Sequence, residues 1–237
     1  MIKIRKSAER GSTKTPWLDS KHTFSFGSYY DPAFMNFGIL RVINEDKVSP
    51  DQGFGAHSHR DMEIISYVLE GSLEHKDSLG TGSIIMPGEV QLMRAGSGIT
   101  HSEFNPSKDT PIHFLQIWII PDQTGLAPSY QQRNFQNSRK KGQLTLLVSP
   151  DGDQESLTIH QDAKVSVLDL KEDQSFSHAL EIGRMAWIQV ARGEIALNGH
   201  DLKQGDGAAV TQEETLNFMS LKEAEILIFD LESSSPR

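Results

Sequence analysis

The sequence predicts an all-β protein, a sandwich or barrel rather than an alternating α/β fold. Three observations carry that expectation. Apolar runs of strand length recur along the whole chain, at 37–43, 63–69, 112–120, 144–148, 165–170, 186–190 and 224–231. Glycine and proline turns separate them, as at Glu70-Gly71, Pro87-Gly88 and Gly199. Stretches with a helical repeat are scarce. Many short strands between turns bury their apolar faces only by stacking two sheets or closing one.

Taken in order, residues 1–30 alternate in a strand-like way at Ile2-Lys3-Ile4 and Thr23-Phe24-Ser25-Phe26, on either side of a polar stretch. Residues 49–53 form a loop. The strand at 63–69 ends at Gly71 and returns through 72–77, a hairpin. Further strands are read at 81–86 and 90–93, and the strongest at 112–120, interrupted only by Gln116. The polar segment 129–138 is the best helix candidate in this half. From Gln143 the strands resume, with short ones at 195–197 and 208–211, and the tail 233–236 is read as frayed.

The 237 residues accommodate one large β domain or two small ones. A net charge of −9 argues against a nucleic-acid partner, since phosphate binding needs a basic surface. The one basic cluster, Arg139-Lys140-Lys141, reads as a solvated loop. With no cysteine there are no disulfides, zinc ribbons or thiol nucleophile, which leaves histidines and carboxylates for any metal. Met1 to Lys6 lacks the apolar stretch of a signal peptide. The apolar run 114–120 is too short to span a bilayer. A cytoplasmic protein without a membrane partner is expected.

Chemistry concentrates between Gly53 and Asn105. His57 with His59, and His101 with Glu103, are pairs two residues apart. In a strand such pairs share a face, with side-chain bases roughly 6–7 Å apart. A lone histidine in a β-rich chain is usually a surface or satisfied core residue, but two such pairs on facing strands would converge on one point. Three imidazoles and a carboxylate suit a divalent first-row ion, and open positions would make it reactive. His113 shares a face with Leu115 and Ile117 and reads as a buried, satisfied histidine. His75 falls in a polar hairpin, and His22, His160, His178 and His200 have no partner at metal spacing. Trp118 and Trp187 lie on apolar strands and read as core.

The halves look like diverged copies. Val68-Leu69-Glu70-Gly71-Ser72-Leu73 matches Val190-Ala191-Arg192-Gly193-Glu194-Ile195, and Gly88-Glu89-Val90 matches Gly205-Asp206-Gly207. Counting from those glycines puts Ala179 and Glu181 opposite His57 and His59, and Phe218 and Ser220 opposite His101 and Glu103. The expected domains are therefore 1–135, carrying the site, and 136–237, a scaffold without ligands.

The spacing resembles the two cupin motifs. His57-x-His59 with Glu63 and Gly71 resembles the first, and Gly88, Gly96, His101 and Asn105 the second, with Arg94 where cupins carry proline. Arg60 after the paired histidines, Tyr67-Val68-Leu69-Glu70-Gly71, Ala95-Gly96-Ser97-Gly98-Ile99 and His101-Ser102-Glu103 are similar to the pirin family over essentially the whole chain. That resemblance implies a bicupin: two double-stranded β-helix (jelly-roll) domains with few short helices. It implies one metal in the N-terminal domain, held by His57, His59, His101 and Glu103. The cupin-motif carboxylate Glu63 would then support the site rather than ligate. Ala56, Ser58, Asp61 and Met62 depart from the usual family residues. Phe54 and Met62 are read as substrate-pocket residues.

Family activity implies a metal-dependent dioxygenase of the quercetin 2,3-dioxygenase type, acting on a flavonol or similar enediol-type aromatic substrate with dioxygen. Glu103 would be the catalytic base. The cofactor is one divalent transition ion, iron first, with copper, nickel, manganese, cobalt and zinc also compatible. The alternative is a metal- or redox-sensing regulatory protein without turnover, acting through a protein partner.

Overall fold

The computed structural model describes residues 1–233. Among them every regular element is a strand except two single-turn 3₁₀ segments, Ser7–Glu9 and Asp153–Glu155. The period-2 pattern explains the strands. In Ile99–Phe104, Ile99, His101 and Glu103 are buried, while Thr100, Ser102 and Phe104 are less so. Strands Glu63–Glu70 and Ile112–Ile119 are instead buried along nearly their whole length, which is why they read as continuous apolar runs. No helix of the described residues is long and apolar enough to cross a membrane.

The chain forms two compact units. One comprises Gly11–Gln136 with Ile159–Gln161. The other comprises Met1–Arg10, Asn137–Thr158 and the described residues from Asp162 onward. The N-terminal strand Ile2–Arg5 therefore belongs with the C-terminal half, paired antiparallel to Gly207–Val210.

In the first unit the seven-stranded sheet runs Ser129–Asn134, Glu89–Arg94, Glu63–Glu70, Ile112–Ile119, Leu40–Val48, Leu18–His22, Gly11–Lys14. Its four-stranded sheet runs Gly53–His59, Ile99–Phe104, Leu73–Asp77, Gly82–Ile85. The second unit repeats the plan with one seven-stranded and one four-stranded sheet. The first unit's core gathers Leu18, Val48, Val68, Leu73, Ile85, Ile112 and Phe114. The second packs Leu168, Ile188, Leu197, Leu216, Phe218 and Ile226 among others. Burying one such side chain is worth about 1.5–3 kcal/mol, so these interiors outweigh the exposed ion pairs, at about 0–1 kcal/mol each.

The helix expected at 129–138 is not formed. Ser129–Asn134 is an edge strand, paired in register with Glu89–Arg94. Its polarity belongs to a sheet edge: Gln132 Nε2 donates to the Ile84 carbonyl and to Glu89. Of the tail read as frayed, Ser233 N donates to the Gly183 carbonyl, and 234–236 lie outside the described residues.

Strand pairing also corrects the match between the halves. The turns Gly71 and Gly193 correspond, which equates His75 with Leu197. Glu103 pairs with His75 as Phe218 pairs with Leu197. Phe218 thus stands at the position of Glu103 and Leu216 at that of His101. His178, paired with Leu216, stands at the position of His57. Ala179, Glu181 and Ser220 do not occupy these positions, because a count along the chain crosses hairpins of unequal length.

Both matched turns need φ > 0, +78° at Gly71 and +79° at Gly193. A Cβ on Gly193 would stand 2.1 Å from the Glu223 carbonyl oxygen, whereas on Gly71 its closest neighbours are at 3.0 Å. Gly71→Ala should therefore cost about 1–2 kcal/mol for the left-handed conformation alone. Gly193→Ala should cost at least ~3 kcal/mol, because the backbone must also move. Chemical denaturation of the two variants checks the order, and equal costs would contradict it.

Candidate metal centre

Strands Gly53–His59 and Ile99–Phe104 are hydrogen-bonded neighbours, and His57 lies directly opposite His101. The rings of His57, His59 and His101 close into a triangle with centroid separations of 4.5 to 4.9 Å. A register shift follows between His101 and Glu103, so that Glu103 pairs with Phe54. Each of two groups, His57/His59/His101 and His75/His101/Glu103, brings its ligand atoms within 4.8 Å of one another. His101 belongs to both. The three imidazoles are thus assembled as expected, and Glu103 flanks them on the side of His101.

A row of polar side chains crosses the seven-stranded sheet behind this cluster. Gln91, Ser66, Gln116, Asn44 and His22 are successive cross-strand partners at one register. Partners so paired share a face of the sheet. All five are buried. Gln116 Nε2 donates to Glu103 Oε2 at 2.6 Å, and Ser66 Oγ lies 3.1 Å from Glu103 Oε1. Gln116 thus orients the carboxylate, Ser66 shares its one hydrogen between Glu103 Oε1 and Gln116 Oε1, and both carboxylate oxygens keep lone pairs for a cation.

His75 is fully buried, not part of a polar hairpin surface. Its Nε2 is 2.9 Å from Asp77 Oδ2, its Nδ1 faces Gln91 and His101, and its ring packs on Tyr130. That commitment makes it a neighbour of the cluster rather than a member. His113 is buried and satisfied, with Nε2 2.9 Å from Glu45 Oε1. Glu63 faces Arg94, its cross-strand partner, whose Nε donates at 3.0 Å. The arginine in place of a cupin proline is thus the partner of the cupin-motif carboxylate. Burial raises the Glu63 pKa, and Arg94 opposes the rise.

A cavity of about 280 Å³ opens beside the imidazoles, lined by His57, His59, Glu103, Gln116, Phe54 and Trp118 and continuing to Phe26, Asn44 and His22. Phe54 is in the wall, edge-on to Trp17. Met62 is not; it packs with Trp118 against Ile64, Met93, Ala95 and Ile99. Trp187 is core, but Trp118 is a wall residue, its ring 4.9 Å from that of His59. Sequence reasoning missed His22, Asn44, Ser66, Gln91 and Trp118. For Ser66 and Gln116 the available signal was one polar residue inside an otherwise apolar strand; His22, Asn44 and Gln91 lie in strands with other polar residues and gave none.

The residues fit a divalent cation. His101 is 1% exposed, and its buried Nε2 has no hydrogen-bond partner among the described residues. A lone pair so placed costs about 1–3 kcal/mol unless something binds it. His57 Nδ1 is tied to the Gly55 carbonyl at 2.8 Å, a bond that fixes ring orientation. Burial, with the like charge of His57, pushes His59 down to about 4. Burial and the surrounding imidazoles push His101 down to about 2. Both rings are therefore neutral at ordinary pH, the state that ligates.

Two antiparallel β units, one with imidazoles and a carboxylate gathered on an inner strand face, define a bicupin with a candidate metal centre. The comparisons agree. Residues 3–119 match the Pirin family model and residues 146–231 that of the quercetinase C-terminal cupin domain. A quercetin 2,3-dioxygenase of Escherichia coli (strain K12) is 46% identical, over 98% of this chain and 99% of its own. A bacterial pirin from Escherichia coli, crystallised with nickel(II), superposes with a TM-score of 0.94 at 44% identity, over 99% of this chain and 100% of that one. A quercetin 2,3-dioxygenase from Acinetobacter baumannii shares the fold at 20% identity and a TM-score of 0.79, over 94% of this chain and 85% of that one. The chain belongs to the pirin family.

Two outcomes follow. Elemental analysis should find one ion per chain, reduced at least ~10-fold in occupancy by His101→Ala, which removes the residue common to both groups. Two ions per chain would contradict this. In the metal-free protein, the unfolded chain's histidines take up protons near pH 6.5, whereas folded His59 and His101 refuse them until about 4 and about 2. Stability should therefore be complete above pH 6.5 and fall as pH drops from there toward 4. A thermal midpoint that stays flat or rises as pH drops through that window in the wild type, or that falls as steeply in His59→Gln, would refute the assignment.

Proposed function

We propose that this protein is a metal-dependent dioxygenase that opens the central ring of a flavonol or a similar enediol-type aromatic substrate. One observation carries the reading: an oriented carboxylate and the imidazoles of His57 and His59, backed by buried His101, open onto a cavity walled by Phe54, Phe26 and Trp118. The relatives' names point the same way. His57, His59, His101 and Glu103 would hold the ion. When bound, it supplies a Lewis-acidic anchor for the substrate's oxygens and a redox partner for dioxygen. We propose iron, because imidazole and carboxylate ligands with open positions are those of non-haem iron oxygenases. Nickel, which the Escherichia coli relative holds, is the competitor that metal analysis must separate.

Glu103 is the base. It is 2% exposed, and burial raises its pKa while Gln116 and Ser66 oppose the rise. A cation held by Glu103 would keep it ionised, and the ionised carboxylate is the form that accepts the 3-hydroxyl proton. The substrate enolate left behind is electron-rich at C2. Dioxygen adding across C2 and C4 opens the ring, and the carbon between them departs as carbon monoxide. Phe54 and Trp118 hold the planar ring system and keep water away.

Glu103→Gln preserves shape and one coordinating oxygen but removes the base. Turnover per bound metal should fall at least ~100-fold while metal occupancy largely persists. If activity falls only as far as occupancy does, Glu103 is an anchor and not the base.

A further inference from the structure

Away from the imidazoles the cavity has a second polar end, formed where the buried row reaches Asn44 and His22. Three ring contacts connect the two ends: His59 to Trp118 at 4.9 Å, Trp118 to Phe26 at 5.4 Å, and Phe26 to His22 at 5.4 Å. A flat ligand lying along these rings would have one edge at the imidazoles and the other at Asn44.

The hydrogen bonds there leave a defined vacancy for chemistry. His22 Nδ1 is 2.8 Å from Asn44 Oδ1, and His22 Nε2 is 2.8 Å from Thr13 Oγ1. The amide oxygen can only accept, so Nδ1 carries the hydrogen and Nε2 accepts from the Thr13 hydroxyl. Asn44 makes no other side-chain hydrogen bond among the described residues. Its amide N–H groups are left to donate, and the Thr13 oxygen keeps lone pairs to accept. A hydroxyl group, which accepts and donates at once, is the complement of that pair. Asp46, two residues along the same strand face, also lines the cavity and disfavours an anionic substituent.

We propose that Asn44, held by His22 and Thr13, is a specificity-determining residue that reads a neutral hydroxyl on the ring of the substrate farthest from the reacting oxygens. This rests on the flavonol reading of the cavity, but it is tested separately from turnover. The probes are three flavonols carrying no, one or two hydroxyls on the pendant phenyl ring. For metal-loaded wild type, both kcat/KM and the Kd from equilibrium binding should favour the hydroxylated compounds about tenfold, the worth of one or two neutral hydrogen bonds. Asn44→Leu should bring both ratios close to one. Thr13→Val, which removes the acceptor and leaves the buried row in place, should lower them about threefold and covers the case in which Asn44→Leu does not fold. Hydroxyl preference in Kd without turnover would uphold the proposal and remove the dioxygenase reading. Turnover with no hydroxyl preference in wild type, or a preference left undiminished by Asn44→Leu or by Thr13→Val in folded, metal-loaded protein, would overturn it.

Discussion

The polar row buried in the seven-stranded sheet is the constraint on which the site depends. Gln91, Ser66, Gln116, Asn44 and His22 sit side by side because five strands are in one register. In an apolar interior each unpartnered member would cost about 1–3 kcal/mol. Ser66 and Gln116 bond each other and Glu103, His22 bonds Asn44, and Gln91 reaches His75, so the row is held between the sheet and the ligand cluster. A slip of one residue in any strand would turn its polar member to the other face. The metal centre and the sheet register are thus specified together.

The second unit shows what the scaffold becomes without that demand. Leu216 and Phe218 take the positions of His101 and Glu103, and both belong to an apolar core. His178 alone survives at a ligand position, half-buried, with burial lowering its pKa. An isolated imidazole gives a cation too few donors, and the residues that replace the other ligands belong to a buried apolar cluster.

Much of this was legible in the sequence, and the remainder fails for physical reasons. Period-2 alternation at Ile99–Phe104 and continuous apolar runs at Glu63–Glu70 and Ile112–Ile119 announced strands. The paired spacing of His57, His59, His101 and Glu103 announced a shared face. The segment 129–138 misled because an edge strand and a solvated helix are equally polar, and only its pairing with Glu89–Arg94 distinguishes them. The polar row was hidden for another reason. Gln116 looked like an interruption in a strand and Asn44 like the end of one, and only cross-strand register turns five separate residues into one feature. Pocket residues are harder still: Phe54 and Met62 are equally apolar, and tertiary packing alone put one in the wall and the other against Ile64, Met93, Ala95 and Ile99.

The strand Ile2–Arg5 closes the edge of a sheet whose other strands lie in the far half of the sequence, with Ile2 paired to Val210. On a ribosome this arm emerges well before its partner strand. Through most of synthesis it has no ladder to join, while the unit beginning at Gly11 already has all its strands. The joining contact closes a very long loop, whose entropic cost grows only slowly with length but whose formation is slow. The C-terminal unit is therefore expected to complete its fold after the one that carries the candidate metal centre, with this early-made arm as its final strand.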